Sequence, residues 1–109
     1  MTEELFNEVT KWQKETFPTA TALSRVHHLK EEILELIKEL DIPHPSYSQL
    51  QQEYADCFLL LFGSASASGM NYSDICCAIE MKMKINKSRR WGKPDENGVI
   101  KHIVDNENY

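Results

Sequence analysis

Apolar positions along this chain fall into helical periods, separated by proline, glycine and turn-forming residues. From about Glu3 to Thr16 acidic residues occupy the first turn, where they complement the helix dipole, and Pro18 halts the pattern. Val26, Leu29, Ile33, Leu36, Ile37 and Leu40 then recur at three- and four-residue steps, predicting a second helix from about Ala20 to Leu40 with that stripe against the core. Asp41-Ile42-Pro43-His44-Pro45 breaks it, because a proline disfavours helix at the residue before it. A third helix is expected from near Ser48, as N-cap, to a C-cap at Gly69. Its centre, Cys57-Phe58-Leu59-Leu60-Leu61-Phe62, is apolar all the way round, which predicts burial on every side and a second subunit to supply part of it. The small side chains of Ser64 to Ser68 permit close helix approach. Ser73 or Asp74 is the expected cap of a fourth helix reaching about Trp91, ahead of Gly92 and Pro94. These patterns predict an all-α four-helix bundle: one domain over 1–109, with a helical core at about 3–91 and a tail at 92–109. The tail carries an Asp95-Glu96-Asn97-Gly98 turn and a β-prone Val99-Ile100 pair.

Composition narrows the partners. A chain of 109 residues and 12.6 kDa suffices for one domain, and 41% hydrophobic with 27% charged residues excludes wholesale disorder. Twelve Lys+Arg against 17 Asp+Glu give a net charge of −5, which disfavours polymeric nucleic acid and anionic membranes. Met1-Thr2-Glu3-Glu4 is acidic where a signal peptide is basic, and the longest apolar run, Ala55 to Phe62, is too short to span a bilayer. Cys57, Cys76 and Cys77 form neither a disulfide framework nor a C-x-x-C zinc pair, and read as small apolar residues in a reducing compartment. The expectation is a cytoplasmic protein.

Two short acidic motifs carry the chemistry. Glu32 and Glu35 lie three apart on the second helix, on the flank of its apolar stripe, with Glu31 beside them. Glu53 and Asp56 repeat the spacing on the third helix, where Cys57 and Leu60 share their face. An antiparallel pair of helices would bring four carboxylates into one cleft. Converging anions repel, and burial worsens this unless a cation neutralises them; an all-oxygen set selects Mg²⁺ or Mn²⁺. Taken alone, Glu31, Glu32 and Glu35 read more readily as an ordinary solvated face, whereas Glu53 and Asp56, at the mouth of the most apolar segment, look partly buried; the conjunction favours a site. On the fourth helix, Ile75 and Ile79 share a side with Lys82 and Asn86, continued by Arg89 and Arg90. A stripe that turns from apolar to cationic suits phosphate, although the arginines alone also fit a helix C-terminus stabilised by its dipole. Trp12 and Phe17 can stack on a nucleobase or serve as core or interface anchors. His28, one turn before Glu32, can support a carboxylate of the acidic site, though an ordinary surface or core histidine is the simpler expectation.

These residues resemble a known family. Glu31-Glu32-x-x-Glu35, a 17-residue spacer and Glu53-x-x-Asp56 resemble the signature of the MazG-like all-α nucleoside triphosphate pyrophosphohydrolases. Lys82-x-x-x-Asn86-x-x-Arg89-x-Trp91 is similar to that family's phosphate-side helix, while Val9-Thr10-Lys11-Trp12-Gln13-x-x-Thr16-Phe17 and Gly98-Val99-Ile100-Lys101-His102 resemble its MazZ branch, the dATP/dGTP diphosphohydrolases. The resemblance covers about residues 6–104. It implies two or three Mg²⁺ ions (or Mn²⁺) held by Glu32, Glu35, Glu53 and Asp56, with Glu31 and Glu35 in the catalytic step. Glu31 would bind a further ion or orient the water, Lys82, Asn86 and Arg89 would hold phosphates, and Trp12 and Phe17 would meet the base. The implied reaction is attack of metal-activated water on the α-phosphorus of a purine deoxynucleoside triphosphate, releasing pyrophosphate from a dimer or tetramer. In a phage setting it would adjust the dNTP pool, removing dATP where 2-aminoadenine replaces it in DNA. The competing expectations are the same reaction on dCTP or dUTP, and a non-catalytic metal-binding helical interaction module.

Overall fold

A computed structural model of the protein describes residues 1–104; residues 105–109 of the tail lie outside the described residues. The chain forms four helices: α1 (Glu3–Thr16), α2 (Ala22–Leu40), α3 (Tyr47–Ala67) and α4 (Tyr72–Ser88), with no strand among the described residues. It divides into two compact units, Met1–Ile75 and Cys76–Tyr109, and α4 carries the chain from the first into the second.

Helix ends are set by side chains that satisfy the free backbone N–H groups, and several differ from the expected ones. Thr21 caps α2, close to the expected start at about Ala20: its hydroxyl accepts from the Ser24 N–H at 3.0 Å while the Thr21 N–H donates to Ser24 Oγ at 2.8 Å. The cap of α3 is Ser46 rather than Ser48, accepting from the Gln49 N–H at 3.3 Å. Asn71 starts α4 in place of Ser73 or Asp74, although Asp74 returns the bond: Asn71 Oδ1 accepts from the Asp74 N–H at 2.8 Å, and Asp74 Oδ2 from the Asn71 N–H at 3.0 Å. Gly69 does follow the end of α3, with a φ of +96° that lets Met70 N–H reach the Ala65 carbonyl at 3.1 Å. The fourth helix stops at Ser88, short of Trp91, because Trp91 instead forms an isolated antiparallel bridge to His102 and donates its indole N–H to the Asn86 carbonyl at 3.0 Å. The helical core therefore ends at 88.

Within the first unit α2 and α3 run antiparallel over most of their length, joined by the short proline loop. Gly63 and Ser64 are buried on α3, and Ser64 Oγ donates to the Ala22 carbonyl at the opposite end of the hairpin at 2.8 Å. Helix α1 lies against α3, where Gln13 Nε2 donates to the Leu59 carbonyl at 2.9 Å. Phe6, only 3% exposed, packs edge-on to Phe62 and against Tyr72, with ring centroids 5.8 Å away in both cases.

The inward face of α2 is not the expected stripe. Leu29 and Leu36 point in, but Val26, Ile33, Ile37 and Leu40 remain exposed. The buried or half-buried positions are instead Ala22, Arg25, Leu29, Glu32, Leu36 and Glu39, a face at three- and four-residue steps that includes three charged residues. Likewise, α3 is not enclosed on all sides within the chain: Phe58 and Leu61 are half exposed. Apolar composition marks both what packs within the chain and what is left at its surface.

Gly63 is the tightest point. A Cβ placed there would lie 2.6 Å from Gln13 Oε1 and 3.0 Å from Arg25 Cδ. Gly63→Ala is therefore expected to cost about 1–3 kcal/mol of stability through overpacking, measured by urea unfolding. Wild-type stability would mean that Gln13 can leave its buried position freely.

Candidate active site

The hairpin register places the acidic motifs opposite each other. Ser64 bonds Ala22, so ten residues up α2 to Glu32 and ten back along α3 to Tyr54 cover the same length, about 15 Å at 1.5 Å per residue. Glu53 and Asp56 flank that level. One carboxylate oxygen from each of Glu32, Glu53 and Asp56 falls within 4.8 Å of the others.

The fourth expected carboxylate is not in this group. Glu35 lies off the buried face of α2, is exposed, and pairs with Lys38 at 3.7 Å. An exposed pair of this kind contributes little to stability. Its neighbour Glu31 is exposed as well. Three residues advance about 300°, so Glu35 is rotated about 60° from Glu32, on the side of α2 that faces solvent.

Two of the converging carboxylates, Glu32 and Glu53, have a polar side chain beside them. His28 Nε2 lies 3.3 Å from Glu32 Oε1, so the histidine one turn earlier is a partner of the acidic group. Gln49 Nε2 donates to Glu53 Oε1 at 2.9 Å, while Glu53 Oε2 is buried with no hydrogen-bond partner among the described residues. No Lys or Arg among the described residues is within ion-pair distance of the three. A buried, unpartnered carboxylate oxygen beside two further carboxylates is the chemistry a hard divalent cation satisfies. The donor set fits Mg²⁺ or Mn²⁺ and fits no soft metal, since all three ligand atoms are oxygens.

Beside this cluster opens a cavity of about 750 Å³ formed by the end of α1, the α1–α2 turn, α2 and α3. Glu32 and Asp56 stand in its wall together with Trp12, Phe17, Arg25 and His28. Trp12 and Phe17 meet edge to face, centroids 5.6 Å apart at 88°, and each is about half exposed. They form an aromatic wall rather than a piece of core. The three basic-side candidates fall in the second unit. There Asn86 and Arg89 are half-buried, and Arg89 Nη1 reaches Asn86 Oδ1 at 3.5 Å, whereas Lys82 is exposed.

Sequence reasoning missed Arg25, Gln13 and Gln49. Arg25 had a readable signal: Arg25, Glu32 and Glu39 repeat every seven residues between Leu29 and Leu36, a charged row interleaved with an apolar one. Gln13 and Gln49 had none, because an isolated glutamine on a helix carries no periodic information.

The negative field has a measurable consequence at Cys57. Burial pushes its thiol pKa up, and the charges of Glu32, Asp56 and Glu53 push it in the same direction. A raised pKa leaves less thiolate at any given pH, so in metal-free buffer Cys57 should alkylate along a pH profile displaced upward from that of a model thiol. Glu53→Gln removes one of these charges and should move the profile back down. An unmoved profile would show that the cluster does not act on the thiol.

A family model described as dATP/dGTP pyrophosphohydrolase matches residues 5–109. Among solved structures, the chain is similar to the cyanophage S-2L MazG-like pyrophosphohydrolase bound to dGDP and three catalytic Mn²⁺ ions per active site. The two share 31% identity over 96% of each chain, with a TM-score of 0.75. Among curated proteins there is no match. With its four helices, its acidic cluster and a match spanning nearly its whole length, this chain belongs to the dATP/dGTP pyrophosphohydrolase family, MazG-like all-α nucleotide pyrophosphohydrolases.

Proposed function

We propose that the protein hydrolyses dATP and dGTP to the monophosphate and pyrophosphate by attack of water on the α-phosphorus. The observation that carries this reading is the juxtaposition of the Glu32–Glu53–Asp56 cluster with a nucleotide-sized cavity walled by Trp12 and Phe17. Glu32, Glu53 and Asp56 hold the cation, and Glu35, one turn along, joins them by leaving Lys38. A divalent ion supplies charge neutralisation for the phosphates and a lowered pKa for the attacking water. Mg²⁺ is the proposed ion and Mn²⁺ an alternative; the cyanophage relative, with three Mn²⁺ per site, supports two or three ions here. Glu31 and Glu35 orient the water and take its proton. His28 and Gln49 keep the carboxylates of Glu32 and Glu53 aimed at the cation. Lys82, Asn86 and Arg89 bind the phosphates and offset the charge that builds on the leaving pyrophosphate. Trp12 and Phe17 pack against the purine.

The family match over 5–109 supports treating the chain as one catalytic domain, tail included. Assembly as a dimer or tetramer belongs to the same proposal, because Val26, Ile33, Ile37 and Leu40 of α2 and Phe58 and Leu61 of α3 leave extensive apolar surface that a second copy would cover. No helix among the described residues is long and apolar enough to cross a membrane, which is compatible with work on free nucleotides in the cytoplasm. In a phage-infected cell the reaction would drain dATP and dGTP from the pool, and so favour an adenine analogue in DNA.

The decisive assay incubates the protein with each of the four common dNTPs and dUTP, with Mg²⁺, in H₂¹⁸O. Expected are pyrophosphate from dATP and dGTP, label in the dNMP, and no reaction in EDTA. Glu53→Gln should lower turnover by at least about 100-fold, the upper end of the loss when even an outer-shell partner is removed. Orthophosphate as product would refute attack at the α-phosphorus. Turnover confined to dCTP or dUTP would move the substrate to pyrimidines, and metal binding without turnover of any nucleotide would reduce the protein to a binding module.

A further inference from the structure

Arg25 is the most anomalous charge in the first unit. It is 7% exposed, yet no carboxylate among the described residues is within ion-pair distance of it. Of the five N–H donors of its guanidinium, Nη1 reaches one acceptor, the Ala20 carbonyl at 3.3 Å. The other nitrogens are not sealed in the protein as Gln13 Oε1 and Glu53 Oε2 are, and Arg25 lines the cavity. A buried cation with unused, forked donors on a cavity wall calls for a ligand that presents paired acceptors.

Position decides which part of a nucleotide that is. Arg25 and Glu32 share the inward face of α2, two turns apart, about 10 Å along the axis. The Ala20 bond draws the guanidinium towards the N-terminal end of the helix, away from the acidic cluster. With the phosphates at the cluster, the two-turn offset puts Arg25 towards the base, in the cavity wall it shares with Trp12 and Phe17. The paired acceptors available there are O6 and N7 of a 6-oxopurine, the pair an arginine fork matches. Adenine keeps N7 but places a donor at position 6, facing the N–H groups of Arg25.

We propose that Arg25 is a specificity-determining residue that reads O6 and N7 of the purine, making 6-oxopurine deoxynucleotides the preferred substrates. The inference rests on the proposed function and sharpens it. The Ala20 bond gives Arg25 a structural part as well, so the test must separate the two roles.

Initial rates with dGTP, dITP, 7-deaza-dGTP and dATP would be compared for wild type, Arg25→Lys and Arg25→Met, with folding followed by thermal melting. Wild type is expected to use dGTP and dITP alike, since both present O6 and N7, and to use dATP and 7-deaza-dGTP with kcat/KM lower by roughly 10- to 100-fold. In Arg25→Met the values for dGTP and dITP should fall further than that for dATP, closing the ratio between them. Arg25→Lys, with its charge but not its fork, should lose most of the preference. Binding of dGMP and dAMP, read by tryptophan fluorescence, should lose the same discrimination. An equal loss for every substrate in a folded variant would assign Arg25 a purely structural role and overturn the proposal. Should both variants fail to fold, wild type decides alone: no preference for dGTP and dITP over dATP overturns it. Purine turnover without that preference defeats this inference only, whereas no pyrophosphate from any dNTP defeats the proposed function with it.

Discussion

Helices α2 and α3 can approach as closely as they do because α3 offers almost no side chain at Gly63 and only a hydroxymethyl at Ser64. Everything at the site follows from that contact. Ser64 bonds the Ala22 carbonyl, which pins the register of the hairpin, and the open face of Gly63 receives Gln13 and the aliphatic part of Arg25. Gln13 in turn bonds the Leu59 carbonyl and ties α1 to the same segment of α3. A pair of small residues thus gathers all three helices of the first unit around one level. From that level, equal rises along two antiparallel helices bring Glu32 opposite Glu53 and Asp56.

The consequence is a polarised cavity. At one end three carboxylates crowd together, and their negative charge adds to burial in raising the pKa of the neighbouring Cys57 thiol. At the other end a buried guanidinium has no carboxylate within ion-pair distance among the described residues. Neither end is stabilised by the protein alone. Groups of this kind are expensive to desolvate, and on α2 they alternate with the inward-facing Leu29 and Leu36. In the function proposed above, a nucleoside triphosphate with a divalent ion would complement the two ends together: cation and phosphates at one, purine acceptors at the other. The cost of holding unpaired charge is the physical signature of a site built for a ligand rather than for folding.

Helix existence, helix type and the two acidic motifs could be read from the chain, because period, capping residues and proline are local properties. The first helix was bounded correctly for that reason: its cap, Thr2, and its breaker, Pro18, stand in the sequence beside it. The inward face of α2 could not be read, since two apolar rows, one along Leu29 and Leu36 and one along Val26, Ile33, Ile37 and Leu40, satisfy helical periodicity equally well. Helix α4 was extended too far because Trp91 suits a helix, and its pairing with His102 is a contact across ten residues of turn and tail.

By itself, then, the amino-acid sequence determined an all-α chain, the spacing of its carboxylates and the family those residues resemble. Tertiary structure decided which carboxylates meet, that Glu35 faces solvent, and that Arg25 is buried with no counter-ion among the described residues. The division has one physical cause. Spacing along a helix depends only on the covalent chain and its 3.6-residue turn. Which side of that helix is turned inward depends on what packs against it, and here that is decided at Gly63 and Ser64, some forty residues away from the α2 face they select.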